Sequence, residues 1–204
     1  MNKNRLKMEK GFTLIEILIA ATIFATFLAI SSNSLVDVLK LEQKANVLRK
    51  TQQNTRYILE SIIREARNAN GEFIKNGQAK ERVTSSYQFG SSGQLILTNT
   101  DLEAGKVTEK IYYKDGEIIR MDTLSKSMGA SIFTTESAGI ALNKTEDLRI
   151  IKFDFNGSAF YSDIDLPPIL YVNIEAQSGE GLDAKKPELR AHTTLASSAT
   201  PRGY

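Results

Sequence analysis

An apolar run extends from Phe12 to Ile30, and Glu16 is its only charge. Such a run is about as long as a bilayer-spanning helix requires, ~20 residues. After Ser31, Ser32, Asn33 and Ser34 the pattern turns amphipathic. Leu41, Ala45, Leu48, Gln52, Thr55, Leu59, Ile62 and Ala66 recur at steps of four and three, which draws one stripe down a helix. Lys40, Lys44, Arg49, Lys50, Arg56 and Arg64 fall mostly on other faces, and Glu60 is spaced to pair with Arg64 across one turn. Asn70-Gly71 is a natural stop, because glycine takes the left-handed geometry of a helix end without steric cost. The pattern predicts one helix from Phe12 to about Asn68, roughly 85 Å long at ~1.5 Å per residue. The serines at 31–34 compete with the helix for backbone bonds, so protection is expected to be lowest there. A coiled coil is the competing account of the stripe, with Gln52 and Thr55 making a poor seam.

Beyond Gly71 the period shortens. Glu72 to Gly93 is mixed and polar and predicts mostly loop, with a short strand at Tyr87–Phe89. Gln94–Thr98 predicts a strand. Lys110–Tyr113 and Glu117–Met121 flank Lys114-Asp115-Gly116, whose Asp-Gly pair is a hairpin signal that calls for positive φ at both central positions. Asp122–Asp147 has no clear period; Ile132 and Phe133 are its expected core anchors. Leu148–Phe155 alternates so that Ile151, Phe153 and Phe155 should face inward. Pro167 and Pro168 open a strand over Ile169–Ala176, with Leu170, Val172 and Ile174 on one face. Glu188–Leu195 is the last expected strand, and Ser197–Tyr204 reads as a tail. A long helix with five or six short antiparallel strands after it predicts an α+β fold.

Charge adds little to this reading. The chain is formally +2; Lys3, Arg5, Lys7 and Lys10 against Glu9 supply +3 of that, which leaves −1 for the rest. The body of the protein is therefore not basic, and charge gives no argument for a nucleic-acid partner. The basic start keeps the first residues cytoplasmic and places the chain beyond Ile30 outside the cytoplasm. There is no cysteine, so a domain on that side must hold by packing, by neighbours or by a metal.

Enzyme chemistry finds little support. The single histidine, His192, lies in an expected strand with no nucleophile elbow around any serine. Gly90, Gly93 and their serines lack the lysine and the strand–loop–helix context of a phosphate loop. A zinc site would need several histidines or carboxylates. Asp163 and Asp165 are weak calcium candidates, with solvated loop acids the simpler account. No cofactor is otherwise expected. The basic residues between Lys40 and Arg67 are interrupted by acids and read as a solvated face.

Gly11, immediately before the apolar run, and Glu16, five positions later, are the unusual pair. A carboxylate inside a membrane span is costly unless it finds a partner. If the chain is cut after Gly11, Phe12 gains a charged α-amine, and Glu16 lies one turn along on the same face. The bland accounts are a secretory signal, whose small-residue cleavage site would come after the run near Ser32 and Ser34, and a plain signal anchor. Neither explains a glycine before the run together with that glutamate.

The segment Gly11-Phe12-Thr13-Leu14-Ile15-Glu16 resembles the N-terminal signal of the type IV pilin-like family, which includes pilins and the pseudopilins of type II secretion. The resemblance implies cleavage of the Gly11–Phe12 bond by a prepilin peptidase, methylation of Phe12, and an assembly role for Glu16. It implies a leader at 1–11, a membrane and filament-core helix at 12–30, its amphipathic continuation at 31–70, an extracytoplasmic domain at 71–196 and a tail at 197–204. The implied partners are other pilin or pseudopilin subunits, the peptidase, an inner-membrane assembly platform and membrane lipid. Arg64 to Ala69, the hairpin, Ile150–Phe155 and Leu189–Leu195 look like the larger minor subunits, in layout the J-type minor pseudopilin or the W-type minor pilin. The alternative reading is a membrane-tethered extracytoplasmic binding module that never polymerises.

Overall fold

The computed structural model describes residues 11–76, 79–82, 84–91, 93–157, 168–178 and 190–201. The chain divides into two units, with the boundary between Gln43 and Lys44. The fold is α+β: one helix, α1 (Leu14–Asn68), precedes strands that are all antiparallel. In the first unit α1 is exposed all round, and the serine stretch does not interrupt it. Ser34 Oγ donates to the Ile30 carbonyl at 3.1 Å, so its side chain bonds back onto the helix rather than away from it.

In the second unit α1 buries Val47, Thr51, Thr55, Ile58, Leu59, Ile62, Ile63 and Ala66. From Thr55 onward this face is the predicted stripe, through Thr55, Leu59, Ile62 and Ala66; before Thr55 it departs from it. Leu41 is 67% exposed and Leu48 36% exposed, and Gln52 is exposed. Before Thr55 the buried positions are Val47 and Thr51 instead. Thr51 and Thr55 can be interior because their hydroxyls donate to the Val47 and Thr51 carbonyls at 2.9 and 2.7 Å, which leaves no unpaired donor. Nor does Glu60 pair with Arg64; it takes the Arg56 guanidinium, at 2.6 Å.

Beyond α1 the described residues form three sheets. β1 (Phe73–Asn76) and β2 (Ala79–Arg82) pair with each other where a loop is expected from sequence. The five-stranded sheet has the order β3-β4-β5-β6-β7, comprising Tyr87–Gly90, Gln94–Asp101, Lys106–Asp115, Ile118–Ser127 and Thr134–Ala141. The three-stranded sheet has the order β10-β9-β8, comprising His192–Ala199, Leu170–Ser178 and Leu148–Gly157. The last strand thus lies later than expected and includes Ser197–Ala199, which sequence assigns to a tail. Ala199 is buried, and its carbonyl and that of Pro168 accept from the Tyr87 hydroxyl at 3.3 and 3.2 Å.

The hairpin forms with its turn moved by one residue. Asp115 pairs with Ile118, so the turn residues are Gly116 and Glu117. Only Gly116 has positive φ, +59°, which is the pattern of a turn with glycine first rather than one needing two left-handed residues. Alternation in β8 also breaks. A register shift between Ile150 and Lys152 puts Leu148, Ile150 and Phe153 inside and leaves Ile151 44% exposed. One extra residue in a strand reverses which face the subsequent side chains occupy. Ile132 is no anchor, at 79% exposed, and Phe133 packs under Lys126, whose Nζ is 4.5 Å from the ring centre.

The core of this unit joins α1 to both sheets through Ile58, Ile62, Leu95, Tyr112, Ile119, Leu148, Ile150, Leu170 and Ile174. The sheets meet at the β5–β6 turn. The Asn143 side chain accepts from Ile119 N at 2.8 Å and donates to the Glu117 and Leu148 carbonyls at 3.0 and 2.8 Å. Ile62 is fully buried at the centre of the helix face. Ile62→Ala should cost about 2–5 kcal/mol, because the cavity adds to the lost burial. The check is a lowered thermal unfolding midpoint by circular dichroism, beside Leu41→Ala on the exposed side, which should leave it within a degree or two.

Candidate functional site

Gly11, Phe12 and Thr13 precede α1 in irregular, exposed backbone. The Gly11–Phe12 bond therefore lies outside the helix, as a peptidase needs, since a scissile bond held in a hydrogen-bonded turn must first be unwound. Phe12 is 80% exposed. Thr13 starts the helix: its carbonyl accepts from the amides of Glu16 and Ile17 at 3.1 and 3.3 Å.

Glu16 sits three residues inside this start. One carboxylate oxygen accepts from the Thr13 amide and from the Thr13 hydroxyl, each at 3.4 Å. This is the returning half of a capping box, in which a glutamate reaches back to an otherwise unpaired amide. A carboxylate there also opposes the positive end of the helix dipole. Sequence reasoning missed this local role, although Thr13-x-x-Glu16 is the spacing that signals it. The arrangement bears directly on a cut after Gly11. A new ammonium at Phe12 would add positive charge to the end of the helix that already carries it. Glu16 is the one acid within a turn that can offset it.

Beyond Glu16 the helix carries no charge before Asp37. The apolar side chains are turned outward, with Leu14 at 81%, Ile23 at 64% and Phe27 at 64% exposed. The polar groups among them are satisfied within the helix. Thr22 and Thr26 hydroxyls donate to the Ile19 and Ile23 carbonyls, both at 2.8 Å. Hydroxyls bonded back onto their own helix suit a bilayer, which offers no water to polar groups, and α1 is long and apolar enough to cross one.

Residues 6–32 match the family model described as the prokaryotic N-terminal methylation motif. The start of the chain carries a type IV pilin-like signal. Gly11, Phe12 and Glu16 all fall inside the matched segment. The signal is that of a type IV pilin-like, prepilin-processed protein, and it points to a structural role. The apolar helix fits a membrane anchor. No curated protein and no solved structure matches the chain.

Elsewhere, His192 Nε2 lies 2.8 Å from Glu175 Oε1 on the exposed face of β9 and β10. That is a surface pair rather than part of a triad. Asp163 and Asp165 lie outside the described residues. Among the described residues no cluster of three or more metal-ligating side chains forms.

Proposed function

We propose that this chain is a structural subunit, of the minor type, of a type IV pilus-like filament or type II secretion pseudopilus. The observation that carries the reading is the junction itself: an exposed Gly11–Phe12 bond two residues before a helix whose only nearby charge is Glu16. A prepilin peptidase removes residues 1–11 and Phe12 is methylated. Before assembly, α1 holds the subunit in the cytoplasmic membrane with the β-rich domain outside. On assembly the helix exchanges lipid for neighbouring helices, through an inner-membrane platform, and Glu16 meets a neighbour's amino terminus. An unpaired buried charge penalises wrong axial placement, so the pair selects register. The large β-rich domain, with three sheets, supports a minor subunit of J-type or W-type layout.

Mass spectrometry of the mature protein tests this directly. The expected start is N-methyl-phenylalanine at Phe12, and replacing Gly11 with valine should leave most of the protein unprocessed. An intact Met1 start would favour the tethered, non-polymerising module instead. A start near Ser34 would mean secretion and the loss of the helix.

A further inference from the structure

We propose that the outer edge of β10 is a docking site for an extended, acidic segment of another polypeptide, which joins the three-stranded sheet as a fourth strand. The surface belongs to the β-rich unit alone and does not depend on whether the chain polymerises. β10 is the edge strand of its sheet. It pairs with β9 without a break, from His192↔Gln177 to Ala199↔Leu170. Among the described residues no strand covers its other side. Long, regular edges invite pairing, and proteins blunt them with lysine, proline, bulges or short length. The other edges show those devices. β3 has four residues. β7 has register shifts against β6 and presents Glu136. β8 has a register shift, and Ile150 N on it donates to the Glu117 carbonyl at 2.9 Å. β10, His-Thr-Thr-Leu-Ala-Ser-Ser-Ala, has none of them.

Charge selects the occupant. On the side of the sheet that faces α1, Ser197 lines one cleft with Tyr57, Glu60, Arg64 and Arg67. Arg64 and Arg67 are exposed, and among the described residues neither is in an ion pair. Glu60 is already taken by Arg56. Tyr57 stands 73% exposed beside them, and tyrosine and arginine are among the residues most enriched where partners bind. An added strand would exchange main-chain bonds with β10 and turn alternate side chains towards these arginines. Acidic side chains at those positions fit. A second copy paired through β10 does not, because it would bring two sets of Arg64 and Arg67 together.

The test uses the full-length protein in detergent micelles and a labelled, capped eight-residue peptide that alternates aspartate with valine, read by fluorescence anisotropy. Saturable binding is expected. It should weaken at least tenfold when lysine replaces aspartate, and at least tenfold when alternate peptide amides are N-methylated so that they cannot bond to an edge. The double variant Arg64→Glu/Arg67→Glu should also weaken it at least tenfold, with an unchanged unfolding midpoint because both side chains are exposed. Absence of saturable binding, equal binding of the N-methylated peptide, or a dimer in both wild type and the double variant would overturn the proposal.

Discussion

Glu16→Ala is expected to insert in the membrane and to be cleaved normally, yet to enter filaments at least tenfold less than wild type. The local cost is small, because the carboxylate is exposed and its bonds to Thr13 are long, each 3.4 Å; losing a cap of this kind costs about 0.5–1 kcal/mol. The assembled state differs. There the α-amine of a neighbour would be left without its counter-charge in an apolar surround, and breaking one partner of a buried pair costs about 3–5 kcal/mol. Glu16→Gln separates the two roles. Glutamine can still accept from the Thr13 amide, since capping boxes use either residue, but it carries no charge. Incorporation is read as the ratio of sheared filament to membrane-held protein on immunoblots. If the glutamine variant assembles like wild type, capping rather than charge is the part Glu16 plays.

Gly71→Ala should destabilise the β-rich unit by about 2–5 kcal/mol. Gly71 has φ of +82°, a conformation that costs an L residue about 1–2 kcal/mol. A Cβ there would also press into the Thr84 carbonyl oxygen, and relieving such a clash adds about 1–3 kcal/mol. The position cannot easily shift. Gly71 N donates to the Thr98 carbonyl at 3.0 Å, and the Thr100 hydroxyl donates to the Gly71 carbonyl at 2.7 Å. Asn70 beside it holds both the amide and the carbonyl of Thr100, at 2.7 and 3.0 Å. The two residues therefore act as a stub of strand along the part of β4 beyond its pairing with β3, where α1 hands over to the sheets. Gly93→Ala is the matched control: its φ is +68° and nothing lies within 4 Å of a Cβ, so only the backbone term of about 1–2 kcal/mol applies. Chemical denaturation of the two variants should show the difference. Equal losses would remove the steric role of Thr84.

The long helix was legible because it rests on local signals: an unbroken apolar run, a three-to-four period, and Asn70-Gly71 at its end. Its terminus at Asn68 agrees with the expectation. Which of its faces is buried was legible from Thr55 onward but not before it. The pattern passes over Thr51 as polar, whereas its hydroxyl bonds within the helix and the side chain goes inside. Similarly, β9 showed its inward residues by simple alternation, and Leu170, Val172 and Ile174 are buried. Its partner β8 did not, because the register shift at Ile150 is set by pairing across strands distant in sequence. The β1–β2 hairpin was missed since its residues, Phe-Ile-Lys-Asn and Ala-Lys-Glu-Arg, carry no strand period of their own.

Local order along the chain was enough to reveal the Gly11–Glu16 junction, the anchor helix and the α+β class, because each depends on residues within a few turns of one another. Long-range pairing set the remaining features: the helix positions buried before Thr55, the moved hairpin turn, the arrangement of the sheets and the β10 edge beside Arg64 and Arg67. Those depend on which distant backbone groups find partners. A strand's own residues do not specify whether its second edge will be covered.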